Sequence, residues 1–287
     1  MSGPWRVGVI GCGVMGAGFA ESCCRAGQAV TVVVRDEDAR KRGADRLADA
    51  LGRAVRKGRI SADERDRALT RISFATSLSA LRDSNFVLEA VRERAEEKVE
   101  ILAELDRIVD DPDAVLATNT SSIPIMKLAS ATRSPERIVG VHFFNPVQVM
   151  PLAELTGSLR TSPATMDRAE SFVVDVLSKQ TVRTQDRAGF LVNGLLVPYL
   201  MSAIRLLESR GNTADEIDRS MTLGCGHPMG PLALVDLIGL DVVAAIGTAL
   251  YEETKEPLYT PPSLLLRMVE GGLLGRKAGQ GFFGYAR

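Results

Sequence analysis

A glycine-rich turn near the amino terminus restricts the folds open to this chain more than any other feature. Arg6-Val-Gly-Val-Ile10 predicts a buried strand, which runs into Gly11-Cys-Gly13-Val-Met-Gly16. Residues 17–26 are compatible with a helix that stops at Gly27, and residues 30–34 predict a second strand. The glycines therefore lie inside a β-α-β unit, the context in which G-x-G-x-x-G indicates dinucleotide binding. This pattern predicts an α/β chain with a Rossmann-type domain.

Each glycine of the turn has a physical role in this interpretation. Gly11 permits the tight turn, Gly13 lets the backbone approach a pyrophosphate, and Gly16 allows close packing of the helix, whose amino terminus faces the phosphates. Val14 and Met15 lie in the same turn and are predicted to contact the cofactor. The alternative is that the glycines only shape a turn.

The segment after the second strand is predicted to be a helical insertion. Residues 36–59 are charged and amphipathic, and Ser61-Ala-Asp-Glu64 has the spacing of a capping box that begins another helix. A β-α-β crossover needs only one helix, so the pair predicts an arm near residues 37–70 that projects from the sheet. Its Arg56 and Lys57 are candidates for an anionic ligand, with solvated surface charge as the alternative.

His142 is the candidate for proton transfer, and the chain has only two histidines. It follows the apolar run Ile138–Val141, and Pro146 then prevents further strand pairing, which places the ring at the carboxyl end of a strand. Ligands of open α/β sheets bind at such ends, and histidine changes charge near neutral pH. Glu154 lies between apolar neighbours and is costly to bury unpaired, so it is the predicted partner. The alternative is a hydrogen-bonded core histidine.

Further strands are predicted at residues 71–75, 85–90, 114–118 and 180–184, with an extended segment at 152–156 and a helix at 95–109. The turn Asn119-Thr-Ser-Ser-Ile-Pro124 follows one of these strands, so its hydroxyls could face a ligand. A hydroxyl in an ordinary turn is the alternative.

The composition changes near residues 186–189. Helical periodicity dominates beyond that point, at residues 190–210, after the capping box at Thr213, at 232–251 and at 262–270. We therefore expect one domain at residues 1–186 and a helical domain at 187–287, whose apolar faces predict packing against a second copy in a homodimer.

Composition excludes several classes of function. The 287 residues are 45% hydrophobic and 25% charged with a formal net charge of -1, so no overall basic field favours nucleic acid or an anionic membrane. No long apolar run or basic leader is evident, and the four cysteines show no metal-binding or disulfide spacing. We expect a cytoplasmic protein without a metal site.

Taken together, the motifs resemble those of the short-chain L-3-hydroxyacyl-CoA dehydrogenases, and most closely those of the bacterial 3-hydroxybutyryl-CoA enzymes. The motifs, in chain order, are Gly11–Gly18, Glu89–Glu93, Asn119–Ser122, His142–Pro146, Gly189–Asn193, Gly226–Pro231 and Gly275–Gly281. The resemblance implies a Rossmann-type domain, an all-helical dimerisation domain, and interconversion of a short-chain (S)-3-hydroxyacyl-CoA and a 3-oxoacyl-CoA with a nicotinamide cofactor.

The resemblance also implies roles for individual residues. His142 matches the catalytic base, Glu154 its carboxylate partner, and Ser121 and Asn193 the side chains that hold the substrate. His227 belongs to a family motif but is interpreted as structural. The further residues that the resemblance places at the cofactor are Ala90, Val91, Glu93, Lys98, Asn119, Ser121 and Asn145.

The sequence departs from the family at the end of the second strand. The family has an acidic residue there that binds the adenosine ribose of NAD, whereas this chain has Val34 followed by Arg35. An absent acid beside an arginine is the arrangement that accepts a 2′-phosphate, so we expect NADP(H). The alternative is that Asp36 replaces the missing carboxylate and NAD(H) is used.

Other functions remain open at this stage. An acyl carrier protein could replace CoA as the carrier, with the basic arm as its docking site. A sugar-acid dehydrogenase on the same scaffold is a more distant alternative, as is a dinucleotide-binding protein without turnover. The presence of Ser121, His142, Glu154 and Asn193 together argues against the last of these.

Overall fold

In a computed structural model that describes residues 5–285, the chain divides into two units between Asp186 and Arg187. Residues 1–4 and 286–287, which the predicted domain ranges include, lie outside the described residues. The first unit contains the sheet and the second is built from helices. The predicted α/β class with a helical second half is therefore confirmed.

The first unit is organised around one eight-stranded sheet. Its strands are β1 (Arg6–Ile10), β2 (Ala29–Val33), β3 (Ile72–Ala75), β4 (Phe86–Glu89), β5 (Val115–Thr118), β6 (Ile138–Phe143), β7 (Leu152–Gly157) and β8 (Gln180–Thr184). Their order is β3-β2-β1-β4-β5-β6-β7-β8. All neighbours pair in parallel except β6 and β7, which are antiparallel. The carboxyl ends of β1, β4, β5 and β6 therefore meet at one edge.

Helices and an aromatic core support the sheet. The α-helices of this unit are α1 (Val14–Arg25), α2 (Glu37–Arg56), α3 (Ala62–Leu69), α4 (Ala95–Ile108), α5 (Ile125–Ala129) and α6 (Pro163–Ser171). Phe19 of α1 is fully buried and packs against Phe143 of β6, with ring centroids 5.3 Å apart. Phe86 of β4 stacks on Phe172 at 3.9 Å. These rings fix α1 and β6, which carry the glycine turn and His142.

The predicted insertion forms two helices, α2 and α3, and the capping box at Ser61 is present. Contrary to the expectation of a projecting arm, the pair packs against α1. Leu47 and Leu51 of α2 and Ala68 of α3 are buried in the same hydrophobic cluster as the sheet. Leu47 and Leu51 are four residues apart and share one helix face, so their burial outweighs the charge of the rest of α2.

The second unit contains α7 (Val192–Glu208), α8 (Ala214–Cys225), α9 (Pro231–Ile238), α10 (Leu240–Thr254) and α11 (Ser263–Glu270) around its own core. The prediction of one helix at residues 232–251 is wrong. Gly239 has φ 108°, a conformation that L side chains rarely adopt, and α9 and α10 meet there at an angle of 96°. No single helix among residues 5–285 is long and apolar enough to cross a membrane, although this bent pair passes the same length and composition test.

The carboxyl-terminal motif folds around a buried carboxylate. Asp236 of α9 is 1% exposed and accepts hydrogen bonds from the backbone N–H groups of Phe282 and Phe283, each at 2.9 Å. A side chain at Gly281 would overlap that carboxylate, so the motif requires glycine there. This unit is not entirely helical, because it also contains two isolated β-bridges, Gly275 to Gln280 and Gln280 to Gly284.

Candidate active site

The glycine turn has the geometry of a dinucleotide cradle. Gly11 has φ 87°, and a Cβ there would lie 2.8 Å from the carbonyl oxygen of Ala90. A Cβ at Gly16 would overlap the carbonyl oxygen of Gly11. A Cβ at Gly13, by contrast, would meet no atom of the described residues within 4 Å. The first and third glycines are thus required by the protein itself, whereas the second leaves space that a pyrophosphate would fill.

The end of β2 is followed by an apolar side chain, Val34, and then by Arg35 and Asp36. Val34 is 6% exposed, so it offers an apolar surface. Arg35 is exposed, and its Nε lies 2.9 Å from Oδ2 of Asp36. Oδ1 of Asp36 accepts a hydrogen bond from the N–H of Ala39 at 2.6 Å and caps α2. That N–H, assisted by the Arg35 guanidinium, holds the pKa of Asp36 below its usual value.

His142 and Glu154 face each other across antiparallel strands. The two residues are paired in the β6–β7 register, and Nδ1 of His142 lies 2.8 Å from Oε2 of Glu154. The histidine is 5% exposed and the glutamate is fully buried. Nε2 of His142 lies 3.1 Å from the hydroxyl of Ser121, which follows β5. With Glu154 accepting the Nδ1 proton, Nε2 of the neutral ring is an acceptor directed at Ser121.

Asn119 and Glu93 hold the turn that carries Ser121. The side-chain oxygen of Asn119 accepts a hydrogen bond from the N–H of Phe143 at 3.0 Å, which ties the ends of β5 and β6 together. Oε1 of Glu93 accepts bonds from the N–H groups of Ser121 and Ser122 and from the hydroxyl of Thr120. Burial raises the pKa of Glu93, but the charge of Lys98 and these hydrogen bonds together hold it below its usual value.

Lys98 lies behind this turn and does not reach the surface. Its side chain is 1% exposed, and its ammonium contacts both oxygens of the fully buried Glu89 at 2.8 Å and Glu93 at 3.5 Å. The observed partners of Lys98 are the carboxylates of Glu89 and Glu93, and its predicted contact with the cofactor stays a prediction. Ala90 and Val91 adjoin the glycine turn, because both contact the position that a Cβ of Gly11 would occupy.

A cavity of about 570 Å³ lies between α1, α2 and the loop after β6. Val14 and Asn145 line it, and Lys57 is on its wall, whereas Arg56 is not. Glu21 is the acidic residue of the lining. The basic residues of the lining are Arg25, Arg46, Arg53, Lys57 and Arg59. Five basic side chains against one acidic side chain give the lining an excess of positive charge, which suits an anionic ligand.

Asn193 lies in the first turn of α7, in the second unit, and is half-buried. Its predicted role beside the substrate stays a prediction. His227, in the same unit, has Nδ1 3.2 Å from the hydroxyl of Tyr199.

Several residues at the site were missed by the sequence analysis. Thr120 and Glu89 lie within motifs that were recognised, but no local pattern predicts that Thr120 bonds to Glu93 or that Glu89 bonds to Lys98 of α4. Arg46 donates to the carbonyl oxygen of Cys12 in the glycine turn at 2.6 Å, across 34 residues. Asp186 accepts bonds from the N–H groups of Ile125 and Met126 at 2.6 and 2.7 Å, just after the Ser121 turn. Among the described residues, no cluster of His, Cys, Asp and Glu could hold a metal ion.

Comparison with known proteins agrees with this geometry. Residues 6–187 match the NAD binding domain of 3-hydroxyacyl-CoA dehydrogenase, and residues 189–285 match the C-terminal domain of the same family. A 3-hydroxybutyryl-CoA dehydrogenase of Mycobacterium tuberculosis is 54% identical over 280 residues, which cover 98% of each chain.

Solved structures give the same result. The crystal structure of FadB2 of M. tuberculosis has a TM-score of 0.98 at 53% identity, over 99% of this chain and 100% of that one. The (S)-3-hydroxybutyryl-CoA dehydrogenase PaaH1 of Ralstonia eutropha has a TM-score of 0.93 at 39% identity, over 99% and 100% of the two chains.

Proposed function

The chain belongs to the 3-hydroxyacyl-CoA dehydrogenase family, and from that premise we propose that it interconverts a short-chain (S)-3-hydroxyacyl-CoA and the corresponding 3-oxoacyl-CoA. The four-carbon pair, 3-hydroxybutyryl-CoA and acetoacetyl-CoA, is the proposed substrate because the relatives named above carry that activity in their names. The observation that carries the proposal is the line of contacts from Glu154 through His142 to Ser121.

Each residue of this line has a separate role in the reaction at the C3 carbon. A bound nicotinamide dinucleotide supplies the hydride acceptor for oxidation and the hydride donor for reduction. In oxidation, Nε2 of His142 takes the proton of the C3 hydroxyl, and Ser121 holds that hydroxyl in place. Glu154 fixes the ring through Nδ1 and stabilises the imidazolium that forms. In reduction, the same Nε2 returns the proton to the C3 oxygen.

Replacement of His142 tests the proposal. A positioned acid or base contributes about 10²–10⁴-fold to rate, so His142→Gln should lower kcat for acetoacetyl-CoA reduction by that factor. Its binding of the dinucleotide should match the wild type, because the glycine turn is untouched. His227→Gln is the matched control and should retain wild-type kcat. Wild-type turnover by His142→Gln would refute the proposed mechanism.

The basic cavity supports CoA as the carrier. Its wall presents five basic side chains beside Val14 of the glycine turn, which suits the phosphates of a CoA thioester. Lys57→Ala should raise KM for acetoacetyl-CoA by about threefold to tenfold, because a single exposed phosphate contact contributes about 1 kcal/mol. Arg56→Ala, one residue away but outside the lining, is the matched control. Equal or better kcat/KM with acetoacetyl-acyl carrier protein would favour the carrier-protein alternative.

For the cofactor we propose NADP(H). The supporting observations are the apolar Val34, the exposed Arg35 and the use of Asp36 as the cap of α2. Arg35→Ala should reduce kcat/KM for NADPH at least about tenfold and leave that for NADH nearly unchanged, because only NADPH has the 2′-phosphate. Arg40→Ala, a neighbouring exposed arginine paired with Glu37, is the control. A wild-type preference for NADH would contradict this proposal.

We also propose that the protein forms a homodimer through its helical unit. That unit exposes large apolar side chains on several helices, among them Leu195 at 72%, Leu223 at 78% and Leu237 at 50%. Large apolar side chains that a single chain leaves exposed are often covered by a second copy in a stable assembly. Sedimentation equilibrium should give twice the chain mass of 30.9 kDa, whereas the mass of a single chain would contradict the proposal.

A further inference from the structure

Glu93 holds the turn of Ser121 from its backbone side. Its Oε1 accepts hydrogen bonds from the hydroxyl of Thr120 at 2.5 Å and from the N–H of Ser121 at 2.9 Å. The N–H and the hydroxyl of Ser122 donate to the same oxygen at 3.2 and 3.1 Å. One carboxylate oxygen therefore accepts hydrogen bonds from three consecutive residues. Ser121 is held at its backbone by Glu93 and at its hydroxyl by His142.

Thr120 reinforces the same turn. Its hydroxyl donates to Glu93 and accepts hydrogen bonds from the N–H groups of Ile123 at 2.9 Å and Ser122 at 3.3 Å. Thr120 is fully buried, so these bonds are protected from competition with water. The backbone that determines where the Ser121 hydroxyl lies thus depends on the position of Glu93.

A buried ion pair in turn restricts Glu93. The ammonium of Lys98 lies 3.5 Å from Glu93 and 2.8 Å from both oxygens of Glu89, and it is almost completely shielded from solvent. Glu89 is fixed by the hydroxyl of Thr118 and the N–H of Val91, each at 2.7 Å. Because β4, β5 and α4 all contribute to this network, the position of Lys98 is set by the sheet and not by a flexible loop.

We propose that Glu93 is a positioning residue, which fixes the Thr120–Ser122 backbone and so places the Ser121 hydroxyl against His142, and that the Lys98–Glu89 pair holds Glu93 in that place. This inference rests on the proposed role of Ser121 in the dehydrogenase reaction. It differs from a direct cofactor contact of Glu93, because it locates the effect in the proton-transfer line. An error of about 1 Å in a reacting group can lower rate by about 10²-fold, so a positioning role has a measurable size.

A double-mutant cycle between Glu93 and Ser121 tests the inference. Glu93→Gln in the full-length enzyme should lower kcat for acetoacetyl-CoA reduction by about tenfold to 100-fold and change the dinucleotide Kd by less than about twofold. In a Ser121→Ala background, the same substitution should lower kcat by less than about threefold, because the hydroxyl that Glu93 places is already absent. Glu97→Gln is the matched control, since Glu97 also lies on α4 but pairs with the exposed Arg92.

Each outcome of the cycle has a defined meaning. Equal losses of kcat in both backgrounds would overturn the inference, as would a loss confined to dinucleotide Kd, which indicates a cofactor contact. If Ser121→Ala alone retains wild-type kcat, the proposed role of Ser121 in the reaction is wrong. This result differs from additive losses of kcat, which would contradict only the positioning role of Glu93. If Glu93→Gln does not fold, Thr120→Val provides a second cycle on the same turn: it keeps every charge and removes the bond to Glu93 together with the two that the hydroxyl accepts from Ser122 and Ile123. Non-additivity with Ser121→Ala is again the expected result.

Discussion

The stability of the first unit should depend strongly on Lys98, because this lysine forms a buried ion pair with Glu89. Both side chains are shielded, at 1% and 0% exposure, and two contacts of 2.8 Å join them. Lys98→Met keeps most of the side-chain volume but leaves a carboxylate in the core without that ammonium. Removal of one partner of a buried pair typically costs about 3–5 kcal/mol, because desolvation of the remaining charge is no longer offset.

The expected loss can be expressed as a melting temperature. For a unit of this size, about 1 kcal/mol corresponds to about 2–4 °C, so Lys98→Met should melt roughly 6–20 °C below the wild type. Calorimetry and urea denaturation followed by circular dichroism measure the change. Arg92→Met is the control: Arg92 is 64% exposed and pairs with Glu97 at 3.3 Å, and such surface pairs contribute about 0–1 kcal/mol.

A compensating variant separates charge from packing. Lys98→Met combined with Glu89→Gln removes the unpaired charge. The amide oxygen of the new glutamine can still accept from the N–H of Val91 while its NH2 donates to the Thr118 hydroxyl, so this variant should recover more than half of the lost stability. A Lys98→Met protein within about 1 kcal/mol of the wild type would refute the reasoning, since it would mean that the buried carboxylate needs no ammonium beside it.

Two further predictions concern the same edge of the sheet. Gly16→Ala should lower the unfolding free energy by about 1–3 kcal/mol, because its Cβ would overlap the Gly11 carbonyl oxygen. Gly13→Ala should keep wild-type stability, because its Cβ would meet no atom of residues 5–285 within 4 Å, but it should weaken dinucleotide binding at least about tenfold in a fluorescence titration. The lowered pKa of Glu93 means that its ionised form contributes stability above the unfolded value of 4.5, and that this contribution is lost as the pH falls through the folded value. The difference in unfolding free energy between wild type and Glu93→Gln should therefore narrow as the pH falls below 4.5 in urea titrations, and a difference that stays constant with pH would contradict this assignment.

Local signals predicted the parts of the fold that local physics determines. The strand at residues 6–10 and the glycine turn lie where the pattern places them, and α1 begins three residues before the predicted start at residue 17. Both capping boxes, at Ser61 and Thr213, are formed. The break between α9 and α10 also has a local signal in the sequence, because Gly239 interrupts the apolar run. Helical periodicity continues across that glycine, and for that reason the prediction joined the two helices.

Long-range contacts account for what the sequence analysis missed. The packing of α2 had a weak signal in the spacing of Leu47 and Leu51, but the surrounding charge pointed to an exposed arm. The network of Lys98, Glu89 and Glu93 joins β4, α4 and the turn after β5, and nothing in a linear sequence indicates which buried carboxylate meets which ammonium. The histidine and carboxylate of the proton-transfer line were easier to pair, because a carboxylate between apolar residues and a histidine at a strand end each require a partner.

The pairing of β6 with β7 has a consequence for how this enzyme can diversify. The register that opposes His142 to Glu154 is favoured by the burial of β6 and β7, because a slip of one residue would move every side chain of a strand to the other face. That loop contributes Asn145, Pro146, Gln148 and Val149 to the basic cavity. Substitutions between residues 145 and 149 are therefore expected to change the lining of the cavity and to leave the pairing of His142 with Glu154 in place. Recognition and chemistry are encoded in adjacent residues but can evolve separately.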